Sequence, residues 1–225
     1  MKTTTKNHIL SLLILLALCV SISSCIDLNS ISGKGPVTKE NKNLDQFSKI
    51  DISGAFEVTY VKSDSFKICI ETNENLQKII SVKLENELLK IGTTKSIRNF
   101  DKLALTICCP TLKSINLSGA NDLKCTDSLI CEKLIIDMSG ASDINLLGKS
   151  MVLEIELSGT GTVNAKHFPS NDIKVDLSGA ANAIVFPVNS LNAEISGAGS
   201  IKYLGNPKSI KQDVSGTGSI EKIGE

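Results

Sequence analysis

The chain has 225 residues, with 24 Lys+Arg against 24 Asp+Glu and a formal net charge of zero. A balanced charge excludes a nucleic-acid or anionic-membrane surface, since either needs a basic excess. The length suits one elongated domain with a continuous core, and aromatics at 4% with no tryptophan leave no evident sugar-stacking platform.

The N-terminus has the pattern of a secretion signal. Lys2 and Lys6 supply a positive start, residues 9–22 are apolar apart from serines, and Ser23 and Ser24 precede Cys25. The apolar run falls short of the roughly 20 residues that span a bilayer comfortably. Small residues directly before a cysteine resemble a bacterial lipobox, which makes residues 1–24 a lipoprotein signal peptide and Cys25 the lipidated first residue of the mature chain. An ordinary cleaved signal or an uncleaved anchor are the alternatives. Residues 25–45 carry Gly33, Gly35, Pro36 and a Lys/Glu/Asn run, which predicts a tether. A β-domain is then expected over residues 46–225.

That domain opens with Ile50-Asp51-Ile52-Ser53-Gly54-Ala55-Phe56. Strand-like runs follow at 56–61, 66–71, 88–92 and 103–108, with a helical turn expected within 74–82. From Ser53 to Ser118 is close to three periods without the Ser-Gly signature, so this stretch is expected to be the less regular part that caps a stack.

Six copies of a Ser-Gly-small motif then recur: Ser118-Gly119-Ala120, Ser139-Gly140-Ala141, Ser158-Gly159-Thr160, Ser178-Gly179-Ala180, Ser196-Gly197-Ala198 and Ser215-Gly216-Thr217. A repeat near 20 residues is the signature of a solenoid, so the expected fold is all-β, a right-handed parallel β-helix with about 20 residues per coil. Between the motifs the hydrophobic period is two, as in Leu153-Glu154-Ile155-Glu156-Leu157. The residue before each serine and the residue five after it are apolar, giving two internal ladders: Leu117, Met138, Leu157, Leu177, Ile195, Val214 and Leu123, Ile144, Val163, Ala183, Ile201, Ile220. The glycine answers either to a positive φ at a corner or to a close approach that leaves no room for a Cβ, with the serine hydroxyl available to backbone groups at the bend.

Cys69, Cys108, Cys109, Cys125 and Cys131 are odd in number and contain no Cys-x-x-Cys pair. Mostly reduced core cysteines are expected, with a Cys125–Cys131 disulfide as an option. Two residues before each serine stands an outward column in which Asp137, Glu156, Asp176, Glu194 and Asp213 follow Asn116. At strand spacing, neighbouring exposed charges repel by about 0.9 kcal/mol in water. The column is a candidate site for a cation or a cationic partner, with calcium the one cofactor to consider; the alternative is a solvated face relieved by Lys174 and Lys211. The serine row offers no nucleophile, because a nucleophile needs a base beside one special serine and His167 lies outside the motif.

The segments Ile50 to Phe56, Glu71-Thr72-Asn73-Glu74-Asn75-Leu76, Leu88-Leu89-Lys90-Ile91 and Leu112-Lys113-Ser114-Ile115-Asn116-Leu117-Ser118-Gly119-Ala120, followed by the Ser-Gly repeats, resemble the auto-transporter adhesin, head GIN domain family. The resemblance implies a right-handed β-solenoid at a bacterial envelope and transfers no catalytic residue. It leads to the expectation of an outer-membrane lipoprotein, periplasmic or surface-facing, whose domain binds or adheres without catalysis. The expected partners are the membrane through the lipid anchor, a glycan or protein ligand, and a second copy in a homo-oligomer, but no nucleic acid. A polysaccharide-acting lyase or hydrolase on the same scaffold, or a self-associating structural protein, are the alternatives.

Overall fold

The computed structural model describes residues 30–224. The expected signal peptide and Cys25 lie outside the described residues. Ile31–Glu225 forms one compact unit. It holds the whole hydrophobic core found among the described residues, so it is the folding unit.

Strands form where aliphatic and polar residues alternate. In chain order they are β1 (Ile31–Ser32), β2 (Val37–Asn43), β3 (Lys49–Gly54), β4 (Glu57–Lys62), β5 (Lys67–Asn73), β6 (Ile80–Glu85), β7 (Leu88–Thr93), β8 (Ile97–Arg98) and β9 (Leu103–Cys109). They continue with β10 (Ser114–Gly119), β11 (Asp122–Cys125), β12 (Leu129–His167), β13 (Ser170–Val185), β14 (Pro187–Gly197), β15 (Ser200–Tyr203), β16 (Ser209–Gly216) and β17 (Ser219–Lys222). The expected helical turn is the 3-10 segment Glu74–Ile79. β1 and β8 pair with each other, and the other 15 strands share one curled, open sheet.

The repeats stack in parallel and in register. Ser118 lies beside Ser139, Ser158 beside Ser178, Ser178 beside Ser196, and Ser196 beside Ser215. This register creates both expected ladders. Leu117, Met138, Leu157, Leu177 and Ile195 are buried, as are Leu123, Ile144, Val163, Ala183 and Ile201. Each branched aliphatic side chain buried this way contributes about 1.5–3 kcal/mol. The ladders end at Val214, 42% exposed, and at half-buried Ile220, because among the described residues no strand lies against the far side of β16 or β17.

The fold is all-β as expected, but the sheet is mixed, and the expected less regular N-terminal part is where it departs from a parallel helix. β3 pairs directly with β10, Ser53 beside Ser118, so the stretch between them is an excursion and not three stacked periods. The excursion returns to lay β7 parallel to β3 and β9 parallel to β4, on the side away from the repeats. β2 against β5, β5 against β9, and β6 against β7 are antiparallel. Residues 31–43, expected within the tether, are therefore largely strand: β2 is an edge strand whose two faces are both polar, which in sequence looks like a linker.

The corner glycines meet both conditions that the sequence left open. Gly179 has φ +112°, and a Cβ on it would stand 2.5 Å from the Gly159 carbonyl oxygen. Gly119 repeats the arrangement beneath the Gly54 carbonyl. Backbone bonds hold the bend, with Ala198 N donating to Gly179 O at 2.8 Å and Thr217 N to Gly197 O at 2.9 Å. The hydroxyls of Ser139, Ser158, Ser178 and Ser196 are not used for this; among the described residues they make no hydrogen bond to protein. One level further inside, buried Asn121 accepts from Phe56 N at 3.1 Å and donates to Ser118 O at 2.8 Å, and Ser142 Oγ accepts from Asn121 N at 3.0 Å.

All five described cysteines are free, so Cys125 and Cys131 are unbridged. Cys108 and Cys109 face opposite sides, and only Cys109 is fully buried. Burial pushes the Cys109 thiol from 9.0 up to about 12, and the Cys125 and Cys131 thiols up to about 11. Tyr60, which donates to Cys109 O and Pro110 O at 3.2 Å, is likewise raised by burial.

Gly179→Ala is expected to destabilise the fold by about 2–4 kcal/mol in chemical denaturation, from the strained φ and the collision together; an unchanged midpoint would remove the corner from its structural role. The thiols set an alkaline limit. Their folded values lie above the unfolded ones, so their contribution is complete below about pH 8.5 and is lost as pH rises toward 11. The urea midpoint should fall across that window, and Cys125→Ala should flatten the fall.

Candidate functional site

The acidic column exists as a physical row. Asn116 pairs with Asp137, Glu156 with Asp176, Asp176 with Glu194, and Glu194 with Asp213. Asp137 and Glu156 belong to successive repeats of β12, whose 19-residue offset is marked by Asp143 Oδ1 accepting from Thr162 N at 2.8 Å and Asn145 Oδ1 from Asn164 Nδ2 at 3.1 Å. Asp137, Glu156 and Asp213 are exposed, whereas Asp176 and Glu194 are half-buried. The row extends further than the repeats suggested, because Asp51 lies beside Asn116 and Lys90 beside Asp51.

Its charge is partly relieved by its surroundings. Lys211 reaches Glu194 at 3.9 Å, and Asn192 donates to Glu194 at 3.2 Å. One position along, Lys133 pairs with Glu154 at 2.9 Å. Lys174, expected to share this work, makes no ion pair among the described residues. No group of three or more His, Cys, Asp or Glu side chains among the described residues could hold a metal ion. The carboxylates are strung along the stack one per strand, whereas calcium needs several oxygens converging on one point.

Nothing in this row resembles an acid–base pair. His167 ends β12, and no hydrogen bond links it to a serine among the described residues.

The asymmetric feature lies beside the column, at the start of β10. Thr111 Oγ1 donates to Ile130 O at 2.9 Å, and Ser114 pairs with Ile135. Two residues separate Thr111 from Ser114, but four separate Ile130 from Ile135, so the later segment bows outward. The bow leaves a cleft of about 420 Å³ lined by the apolar Ile130, Cys131 and Ile135 and by Lys49, Lys113, Lys133 and a single carboxylate, Glu132. Ile130 is 46% exposed and Ile135 36%, although both are large aliphatics on an otherwise polar face. Lys133 is engaged by Glu154; Lys49 and Lys113 have no ion-pair partner among the described residues. Sequence reasoning missed this cleft. Its signal is the broken alternation in Leu129-Ile130 and Leu134-Ile135, where one member of each apolar pair must turn outward.

Among the described residues, no helix is long and apolar enough to cross a membrane. A model of the family "Putative auto-transporter adhesin, head GIN domain" matches residues 46–207. A solved putative adhesin of Bacteroides fragilis is similar over 86% of this chain and 100% of its own, with 24% identity and a TM-score of 0.73. A second, from Parabacteroides merdae, is similar over 87% of this chain and 99% of its own, with 20% identity and a TM-score of 0.59. A protein of Parabacteroides distasonis named a putative lipid binding protein is similar over 86% of this chain and 99% of its own, with 18% identity and a TM-score of 0.52. No curated protein matches the chain. The family match covers most of the compact unit, and the chain belongs to the head GIN domain family.

Proposed function

We propose that this head GIN domain protein is a lipid-anchored binding module of the bacterial cell envelope, held at the outer membrane through Cys25 and acting by recognition without catalysis. Its repeat region is read as a right-handed parallel β-helix, with the mixed strands as its N-terminal cap. The repeated exposed face suits an extended glycan or protein partner.

The lysine-rimmed cleft carries the reading. Two ammonium groups without partners stand over an apolar floor that solvent reaches. A ligand with one anionic group and a compact apolar part satisfies both: its charge meets Lys49 and Lys113, and its apolar part covers Ile130 and Ile135. Covering apolar surface contributes about 25 cal/mol per Å², and charge-assisted hydrogen bonds add direction. The neighbour from Parabacteroides distasonis, named for lipid binding, accords with that chemistry.

An 11-(dansylamino)undecanoate titration of the Ile31–Glu225 unit tests the cleft. Saturable, blue-shifted fluorescence is expected, weakened about tenfold (about 1.4 kcal/mol) in the Lys49→Glu/Lys113→Glu variant, and unaffected by Asp176→Asn on the column. Absent saturation, or equal affinity in the double variant, would overturn it. Anchoring is tested separately in cells: Cys25→Ser should move the chain from the membrane fraction to the soluble one, and retention in the membrane would refute lipidation there.

A further inference from the structure

We infer that the free end of the sheet joins two copies of this chain: β16 of one copy pairs antiparallel with β16 of the other about a two-fold axis at Gln212. This inference does not depend on the cleft or its ligand.

The last repeat is half-paired. Among the described residues, β16 pairs only with β14 and β17 only with β15, so the far side of each presents N–H and C=O groups with no strand beside them. Edge strands are usually blunted by a proline, a bulge or an inward charge. β16, Ser209-Ile210-Lys211-Gln212-Asp213-Val214-Ser215-Gly216, has none of these on its inward row. Ile210 stands beside core residue Leu191 and Val214 beside core residue Ile195, yet each is 42% exposed. Among the described residues, no strand or side chain covers this end of the core.

A two-fold interface must be self-complementary, and the sequence of β16 meets that condition about its centre. With Gln212 opposite Gln212 of the second copy, Ile210 faces Val214, Lys211 faces Asp213, and Ser209 faces Ser215, each twice. The apolar pairs lie on the inward face with the two Gln212 amides between them, beside core residue Ala193 and able to hydrogen-bond to each other, while both opposite-charge pairs lie outside. Other registers fail on the same residues. Sliding by one pair sets Lys211 against Lys211 in one direction and Asp213 against Asp213 in the other, and like charges directly opposite are destabilising. Slipping by a single residue turns one copy's apolar row to solvent. Only the Gln212-centred register satisfies charge and burial together.

Sedimentation of the Ile31–Glu225 unit over a concentration series should show a monomer–dimer equilibrium. Lys211→Asp and Asp213→Lys should each weaken self-association about tenfold or more. The double charge swap should restore it, and an equimolar mixture of the two single variants should associate more tightly than either alone. Gln212→Cys should form a covalent dimer under mild oxidation, because opposed Cα atoms in an antiparallel pair stand about 4.5–5.5 Å apart, within disulfide reach. Circular dichroism confirms that each variant keeps its strands. A wild-type chain that stays monomeric, single variants that associate as wild type does, or a folded double variant without recovery would each overturn the inference.

Discussion

The carbonyl oxygen of one corner glycine occupies the space that a Cβ on the next corner glycine would need, and the rest of the repeat region follows from that contact. A backbone this close to its neighbour, at φ +112° in Gly179, admits glycine alone. Since every repeat has its glycine at the same corner, each can stack on the last in one register. That register is then propagated along strands in which a slip of one residue would expose every buried ladder residue. The apolar ladders supply the energy of the stack, and the glycine row decides how it is phased.

This division explains what could be read in the sequence. A motif that fixes phase, joined to a period of two, identifies the inward residues before and five after each serine without knowledge of any partner strand. It identifies the acidic column equally well. The N-terminal excursion is a different problem, because its pairings are non-local. β7 and β9 stack on strands that precede them, and no local pattern distinguishes that order from simple succession. Antiparallel and parallel strands share the same period, so the mixed sheet could not be read either. β2 was hidden for a simpler reason: Val37–Asn43 is polar on both faces, as suits a covered edge and equally a linker. The cleft left only two doubled apolar residues in an otherwise regular pattern.

The column and the cleft share an electrostatic boundary. Seven strands bring acids or their partners into one row, the steps between neighbouring acids from Asp137 to Asp213 each costing about 0.9 kcal/mol of repulsion in water, and the surface answers with a few lysines. Lys133 is the one that faces both ways, held by Glu154 beside the column while rimming the cleft. Lys49 and Lys113 continue the basic rim without an ion pair among the described residues, although Glu132 lines the same cleft. The surface therefore carries an acidic row and a lysine-rich cleft side by side, within a chain of zero formal charge.

The two ends of the stack manage exposed backbone in opposite ways. At the N-terminal end the sheet has two edges, β2 and β6; β2 is laced with charge, Lys39 pairing with Glu71 at 3.6 Å and Lys42 with Glu40 at 3.3 Å, and β6 carries Lys83 and Glu85, the latter held by Lys90 at 2.9 Å. Such an edge resists addition of another strand. At the C-terminal end the inward row is Ile210, Gln212 and Val214, apolar on either side of one uncharged amide, and the outward row is balanced in charge. A head-to-tail contact would have to join these unlike ends, and would propagate without limit. A tail-to-tail contact uses only the receptive end of each copy and closes at two. Closure at two leaves the β2 and β6 edges of each copy outside the contact, so the tail-to-tail arrangement does not propagate.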